Sequence, residues 1–166
     1  MASRFGRAKQ FKDGEKRSMS VNLKTVKFIA EAEGLRLNAY LCPAKKWTIG
    51  YGQTEGVKEG DVWTEEQATD DLVDEIEWRQ RAVLNSCKLR PNENQLAALV
   101  SLIYNIGVHN FRTSTLLKLH NAGKFKEAGD AFRSWVFITV NGRKIKVDGL
   151  ENRRERERAL YLSEEK

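Results

Sequence analysis

Apolar side chains recur along this chain at two different periods, and the switches between them outline its elements. From Lys24 to Ala32, Val26, Phe28, Ile29 and Ala32 share one side of a short helix that Gly34 ends. Asn38 to Leu41 and Trp47 to Tyr51 are instead aromatic and β-branched, and Pro43 with Ala44-Lys45-Lys46 between them predicts a hairpin. The polar stretch Glu55 to Val62, with Gly56 and Gly60, reads as a loop. Thr64 followed by Glu65-Glu66-Gln67 is a capping box that opens a long helix to about Ser86. Ala68, Leu72, Ile76, Val83 and Cys87 form its apolar stripe, which makes Cys87 a small buried residue rather than a redox partner. Arg90-Pro91-Asn92 breaks the chain, and Asn92 with Gln95 caps the next helix. That helix is apolar almost all round from Leu96 to Ile106, as a central buried element is.

The remaining third repeats these signals. Thr113-Ser114 caps a short helix through Leu119, closed by Asn121-Ala122-Gly123, and Phe125, Ala128, Phe132, Trp135 and Val136 give a further core face at helical spacing. Asn141-Gly142, between Phe137-Ile138-Thr139-Val140 and Lys144-Ile145-Lys146-Val147, is a two-residue hairpin signal on a surface excursion. Asn152 to Leu162 is dense in Arg and Glu, the composition of a solvated final helix with pairs three or four apart.

Composition narrows the class without naming a function. The chain has 166 residues, 40% apolar and 31% charged, enough for one globular domain or two lobes sharing a helix, with no need of a metal or disulfide to fold. Net charge is +6, but the first twenty residues hold six basic against two acidic side chains, so most of the excess lies in a leader that is expected to be disordered and whose charge could favour anionic surfaces. A nucleic-acid-binding domain would carry its basic patch on the folded part, so that class is set aside. The leader has no secretory apolar region and no run reaches transmembrane length, which points to a protein made and held in the cytoplasm with no stable membrane insertion. Cys42 and Cys87 with His109 and His120 lack zinc-knuckle spacing, so no metal and no cofactor is expected. Neither histidine has a context that would make Cys42 a Cys–His peptidase nucleophile.

The chemistry gathers in one stretch, EGLRLNAYLCPAKKWTIGYGQT, from Glu33 to Thr54. It sets a carboxyl group at a helix end against a small sheet that carries Cys42 and Thr48. Glu33, then Cys42, then Thr48 with Ile49-Gly50-Tyr51-Gly52 resembles the catalytic signature of the phage-type lysozymes, glycoside hydrolase family 24. Tyr104-Asn105-Ile106-Gly107, Asn110-Phe111, Ser114-Thr115-Leu116-Leu117, Asn121-Ala122-Gly123 and Gly149-Leu150 with Arg153-Arg154 and Glu157 resemble the family's later blocks in the same order. The resemblance covers residues 24 to 162. Two positions depart from the pattern: the middle catalytic position, most often Asp, is Cys42, and the usual His after Gly-Tyr-Gly is Gln53.

The resemblance implies an α+β, lysozyme-like fold. A small β lobe (about 34–63), a linking helix (about 64–87) and a helical lobe (about 91–162) would form one domain, 21–166, behind the leader 1–20, with the active-site cleft between the lobes. It implies a phage endolysin, a muramidase that hydrolyses the β-1,4 bond between N-acetylmuramic acid and N-acetylglucosamine of bacterial peptidoglycan. Such a monomer would stay in the host cytoplasm until a holin permeabilises the membrane, then act on the wall in the periplasm. Glu33 would be the general acid, oriented by Arg153 or Arg154, with Asn105 and Phe111 meeting substrate. On residues alone Asn105 could equally cap free carbonyls, and Thr48 could hold a water or Cys42, or simply suit a strand. Protonation of Glu33 at neutral pH would need burial between the lobes. A thiol of ordinary pKa ~8.5 is mostly protonated at neutral pH, so Cys42 could orient water, act as a thiolate or attack the sugar directly. A cell-wall-binding module disabled by Cys42 remains the rival reading.

Overall fold

The computed structural model describes residues 21–165, so the leader 1–20 lies outside the described residues. Helix α1, Leu23–Glu33, is capped by the Asn22 side chain and ended by Gly34, whose φ of 70° suits glycine. Strands β1, Arg36–Leu41, and β2, Trp47–Gly50, pair antiparallel with a register irregularity between Arg36 and Tyr40. The stretch expected as a plain loop returns along this ribbon: Asp61 O accepts from Ala39 N, and Trp63 N donates to Leu37 O. Its glycines gave no strand signal, because the pairing uses only backbone groups.

Helix α2, Glu65–Ser86, and helix α3, Glu93–Ile106, both start with complete capping boxes, Thr64 with Gln67 and Asn92 with Gln95. The α2 stripe Ala68, Leu72, Ile76 and Val83 is buried as its spacing requires, and Cys87 caps the helix half-buried. From Ala97 to Ile103 every residue of α3 is buried, and α1, α2 and α7 pack around it. Three short helices follow: α4, Val108–Arg112, α5, Thr115–Asn121, and α6, Phe125–Ala131. Helix α4 was not foreseen, because it follows Gly107 with no side-chain cap to announce it. The face read through Phe125 to Val136 is broken by a 3₁₀ turn at Phe132–Ser134, and Phe125 is exposed while Ala128 and Phe132 join the core.

Strands β3, Phe137–Val140, and β4, Arg143–Lys146, form the expected hairpin, turning through Asn141 and Gly142 at φ 49° and 76°. Helix α7 runs Asp148–Leu162, starting four residues before the expected Asn152. Its N-cap, Val147, contributes no side-chain bond; instead Val147 N closes the hairpin base on Val136 O. Among the described residues no helix is long and apolar enough to cross a membrane.

Candidate active site

Glu33 is the last residue of α1, so its side chain leaves the helical core at the point where the chain turns into β1. Its Oε1 accepts from Arg153 Nη1 at 2.5 Å, the two side chains being 20% and 11% exposed. Arg153 is itself fixed from behind: its Nε donates to Glu157 Oε1 and its Nη2 to the Ser101 carbonyl, both at 3.2 Å. The other carboxylate oxygen of Glu33 faces the chain leaving β2, where a Cβ placed on Gly52 would stand 3.5 Å from Oε2. Gly52, at φ 98°, keeps that approach open.

Three contacts hold this wall. Tyr104 Oη donates to Tyr51 O at 3.0 Å, and burial raises the Tyr104 phenol well above its ordinary value, keeping it a neutral donor. Ile49 and Gln53 exchange backbone bonds at 2.9 Å across the glycine turn. Gln53 ties the turn to α2, donating from Nε2 to Asp71 Oδ1 at 2.9 Å while its Oε1 accepts from Thr54 N and Glu55 N. At this departure from the family pattern a neutral amide bridges the glycine turn to an acid on the linking helix.

Cys42 and Thr48 are brought together by the hairpin. Lys46 O accepts from Cys42 N and from Thr48 Oγ1, both at 3.0 Å. The Lys46 backbone N–H lowers the Cys42 thiol below its ordinary value; the Thr48 hydroxyl, the Ala44 N–H and the Lys46 charge act in the same direction, and slight burial opposes them. The hydroxyl has one hydrogen. On Lys46 O, it leaves a lone pair for the Cys42 S–H; turned round, it donates to the thiolate. Cys87 is the contrast, its thiol pushed up to about 11 by burial.

The other expected residues divide. Arg154 does not reach Glu33. It is fully buried, pairing through Nε with Glu157 Oε2 at 2.8 Å and donating from Nη1 to Asn105 Oδ1 at 3.0 Å. Asn105 lies exposed beside a groove of about 480 Å³ that also involves Asn110, Trp135, Phe137 and Ile138. The carbonyl-capping alternative for Asn105 belongs instead to Asn110, which donates to Ile106 O. Phe111 is corrected: it is 0% exposed in the helical core and offers no surface to a substrate. His120 is occupied by Tyr161 Oη at 2.6 Å and Leu89 O at 2.9 Å, so it is no base for Cys42. Sequence reasoning missed Ser101, whose Oγ donates to Glu157 Oε1 at 2.6 Å. Its signal was a hydroxyl in the middle of an otherwise apolar helix.

An acid held by an arginine at a helix end, facing the glycine turn that follows a hairpin, in an α+β fold threaded by a long helix, defines a lysozyme-like glycoside hydrolase. The family model for phage lysozyme matches residues 30–157. The endolysin of Acyrthosiphon pisum secondary endosymbiont phage 1 is 42% identical over 146 residues, which is 87% of this chain and 99% of that protein. The endolysin of Salmonella phage P22 is 34% identical over 87% of this chain and 99% of its own length. Among solved structures, the endolysin from Escherichia coli O157:H7 phage FAHEc1 superposes with a TM-score of 0.83 at 38% identity, covering 87% of this chain and 94% of that one. The muramidase domain of SpmX from Asticaccaulis excentricus does so with 0.81 at 34%, over 87% and 99%. This chain belongs to the phage lysozyme family.

Proposed function

We propose that the protein is a phage endolysin that hydrolyses the β-1,4 bond between N-acetylmuramic acid and N-acetylglucosamine, with Glu33 as general acid and Cys42 and Thr48 presenting the water. The observation that carries this reading is the asymmetry of Glu33: Arg153 occupies Oε1 and leaves Oε2, the oxygen turned toward Gly52, as the one to pass the proton on. Glu33 protonates the leaving glycosidic oxygen as its bond to the anomeric carbon breaks. The Cys42 thiolate takes a proton from a water held with Thr48, and the water oxygen bonds to the opposite face of that carbon. One proton leaves Glu33, one reaches Cys42, and configuration inverts. The lowered thiol pKa supports this role, since the group needs to be anionic to accept.

Asn105 is assigned to the substrate, its carbonyl oxygen turned by Arg154 so that its amide N–H₂ faces the groove. Arg153 is a positioning residue that sets which carboxylate oxygen carries the proton. The family acts on the peptidoglycan of the cell wall. In this reading the enzyme is a monomer held in the host cytoplasm until a holin opens the membrane, and it then works in the periplasm.

Mass spectrometry of muropeptides released from purified sacculi tests it. Hydrolysis yields reducing-end products one water heavier than the anhydro sugars of a transglycosylase. Glu33→Gln should lower release by 10²–10⁴-fold, the usual range for loss of a general acid, with melting unchanged. Anhydro products, no products, or a Glu33→Gln rate above about a tenth of wild type would each overturn the assignment.

A further inference from the structure

The β3–β4 hairpin is left uncovered on both faces: all strand residues from Phe137 to Val140 and from Arg143 to Lys146 are exposed. Its register pairs Phe137 with Lys146, Ile138 with Ile145, Thr139 with Lys144 and Val140 with Arg143. Opposed residues share a face, so one face carries Phe137, Thr139, Lys144 and Lys146, and the other Ile138, Val140, Ile145 and Arg143. Each face therefore mixes large apolar side chains with cations. Val140 and Ile145 remain 42% and 46% exposed, while Phe137 and Ile138, 50% and 45% exposed, border the groove beside Asn105. Between residues 137 and 146 there are three basic side chains and no acidic one. Lys146 bonds Glu151, while Arg143 and Lys144 have no acidic partner among the described residues.

We propose that this hairpin is a membrane-surface anchor that dips into the headgroup layer of an anionic phospholipid bilayer. Arg143 and Lys144 meet lipid phosphates, and Val140 and Ile145 enter the boundary of the acyl chains. Two features select this occupant. A protein partner would cover one face of a ribbon, whereas immersion in headgroups covers both. Single-stranded nucleic acid is gripped through aromatic stacking, and the outer half of the hairpin has no aromatic ring: Val140 stands there with Thr139, Asn141, Arg143 and Lys144. Strands of four residues span ~13 Å, far short of a ~30 Å hydrocarbon core, so the contact is peripheral. The anchor would hold the enzyme at a membrane face while its cleft works on the adjacent wall. None of Val140, Arg143, Lys144 and Ile145 lines the groove beside Asn105.

The full chain is sedimented with vesicles of phosphatidylcholine, with and without phosphatidylglycerol, and cleavage of lipid-free sacculi is measured in parallel. Wild type should pellet with the anionic vesicles alone. Arg143→Glu/Lys144→Glu and Val140→Ser/Ile145→Ser should each weaken that partitioning at least about tenfold while sacculus cleavage and melting stay as in wild type. Equal binding to neutral vesicles, or variants that bind like wild type, would overturn the proposal. So would loss of sacculus cleavage in step with vesicle binding, because the hairpin would then serve the wall. Binding abolished by RNA at equal phosphate would mark a general polyanion patch and overturn it too.

Discussion

Removing the guanidinium of Arg154 isolates one atom in the core. Glu157 is 0% exposed, and its Oε1 keeps Ser101 Oγ at 2.6 Å and Arg153 Nε at 3.2 Å. Oε2 has Arg154 Nε at 2.8 Å as its ion-pair partner and would lose it in Arg154→Met. Deleting one member of a buried ion pair costs about 3–5 kcal/mol, because the remaining charge stays desolvated. In a chain of this size 1 kcal/mol moves melting by roughly 2–4 °C, so a drop of about 6–20 °C is expected at pH 7. Burial raises the Glu157 carboxyl above its ordinary value, with Arg154 as the largest opposing influence. Without Arg154 it rises further, and a raised folded-state pKa means that stability is present below it and lost as pH climbs through it. The deficit of Arg154→Met should therefore shrink as pH falls from 7 toward 5. Arg154→Met/Glu157→Leu, which removes both charges, should recover most of the loss. Urea and thermal unfolding at both pH values read these differences. A single variant within about 1 kcal/mol of wild type, or a double variant no more stable than the single, would refute the reasoning.

Three further outcomes follow from the same geometry. Cys42→Asp should retain or raise sacculus cleavage while Cys42→Ala loses most of it, and substrate should protect wild type from a thiol alkylating reagent; full activity of both the alkylated enzyme and Cys42→Ala would remove the residue from the reaction. Because turn amides hold the Cys42 thiol below its ordinary value, the rising limb of the pH–rate profile should lie below ~8.5, and Cys42→Asp should move it into the carboxylate range near pH 4; an unmoved limb assigns it to another group. Burial raises the Asp71 carboxyl against the Gln53 bond, so ionised Asp71 costs stability above its folded pKa, and Asp71→Asn, which keeps an acceptor for Gln53 Nε2, should raise melting at pH 7 with the gain fading in acid; a gain independent of pH would show that charge is not its source.

Local signals carried most of the fold and part of the site. Both capping boxes, the α2 stripe, the buried run of α3 and the Asn-Gly hairpin are written in adjacent residues, so they were legible. What was lost depends on partners far along the chain. The ribbon formed by Ala39 with Asp61 and Leu37 with Trp63 is backbone pairing with no side-chain period. The start of α7 at Asp148 is set by Val147 closing on Val136, a tertiary bond that no cap residue announces. Phe111 shows the limit of matching blocks: its neighbours Asn105 and Asn110 reach the groove, but Phe111 packs inward.

The choice between Arg153 and Arg154 shows why the chemistry was harder to read than the fold. Successive helical residues point about 100° apart, so one arginine faces α1 and its neighbour faces the interior, and the sequence lists both without the phase of the helix. Two other residues carry that phase. Glu157 lies four and three residues after the two arginines, close enough to bond both, and Ser101 is the polar group on α3 that receives it. A hydroxyl inside an apolar helix marks where a buried polar network meets it, and that network fixes which side of α7 is inward. Arg154 then closes on Glu157 and Asn105, leaving Arg153 as the arginine turned toward Glu33. Ser101→Ala should therefore loosen Arg153 as well as lower stability, because it removes a bond to Glu157 and a contact of Arg153 Nη2 at 3.4 Å. Loss of sacculus cleavage beyond what the fall in folded fraction accounts for is the expected reading; cleavage that only follows the folded fraction would confine Ser101 to the core.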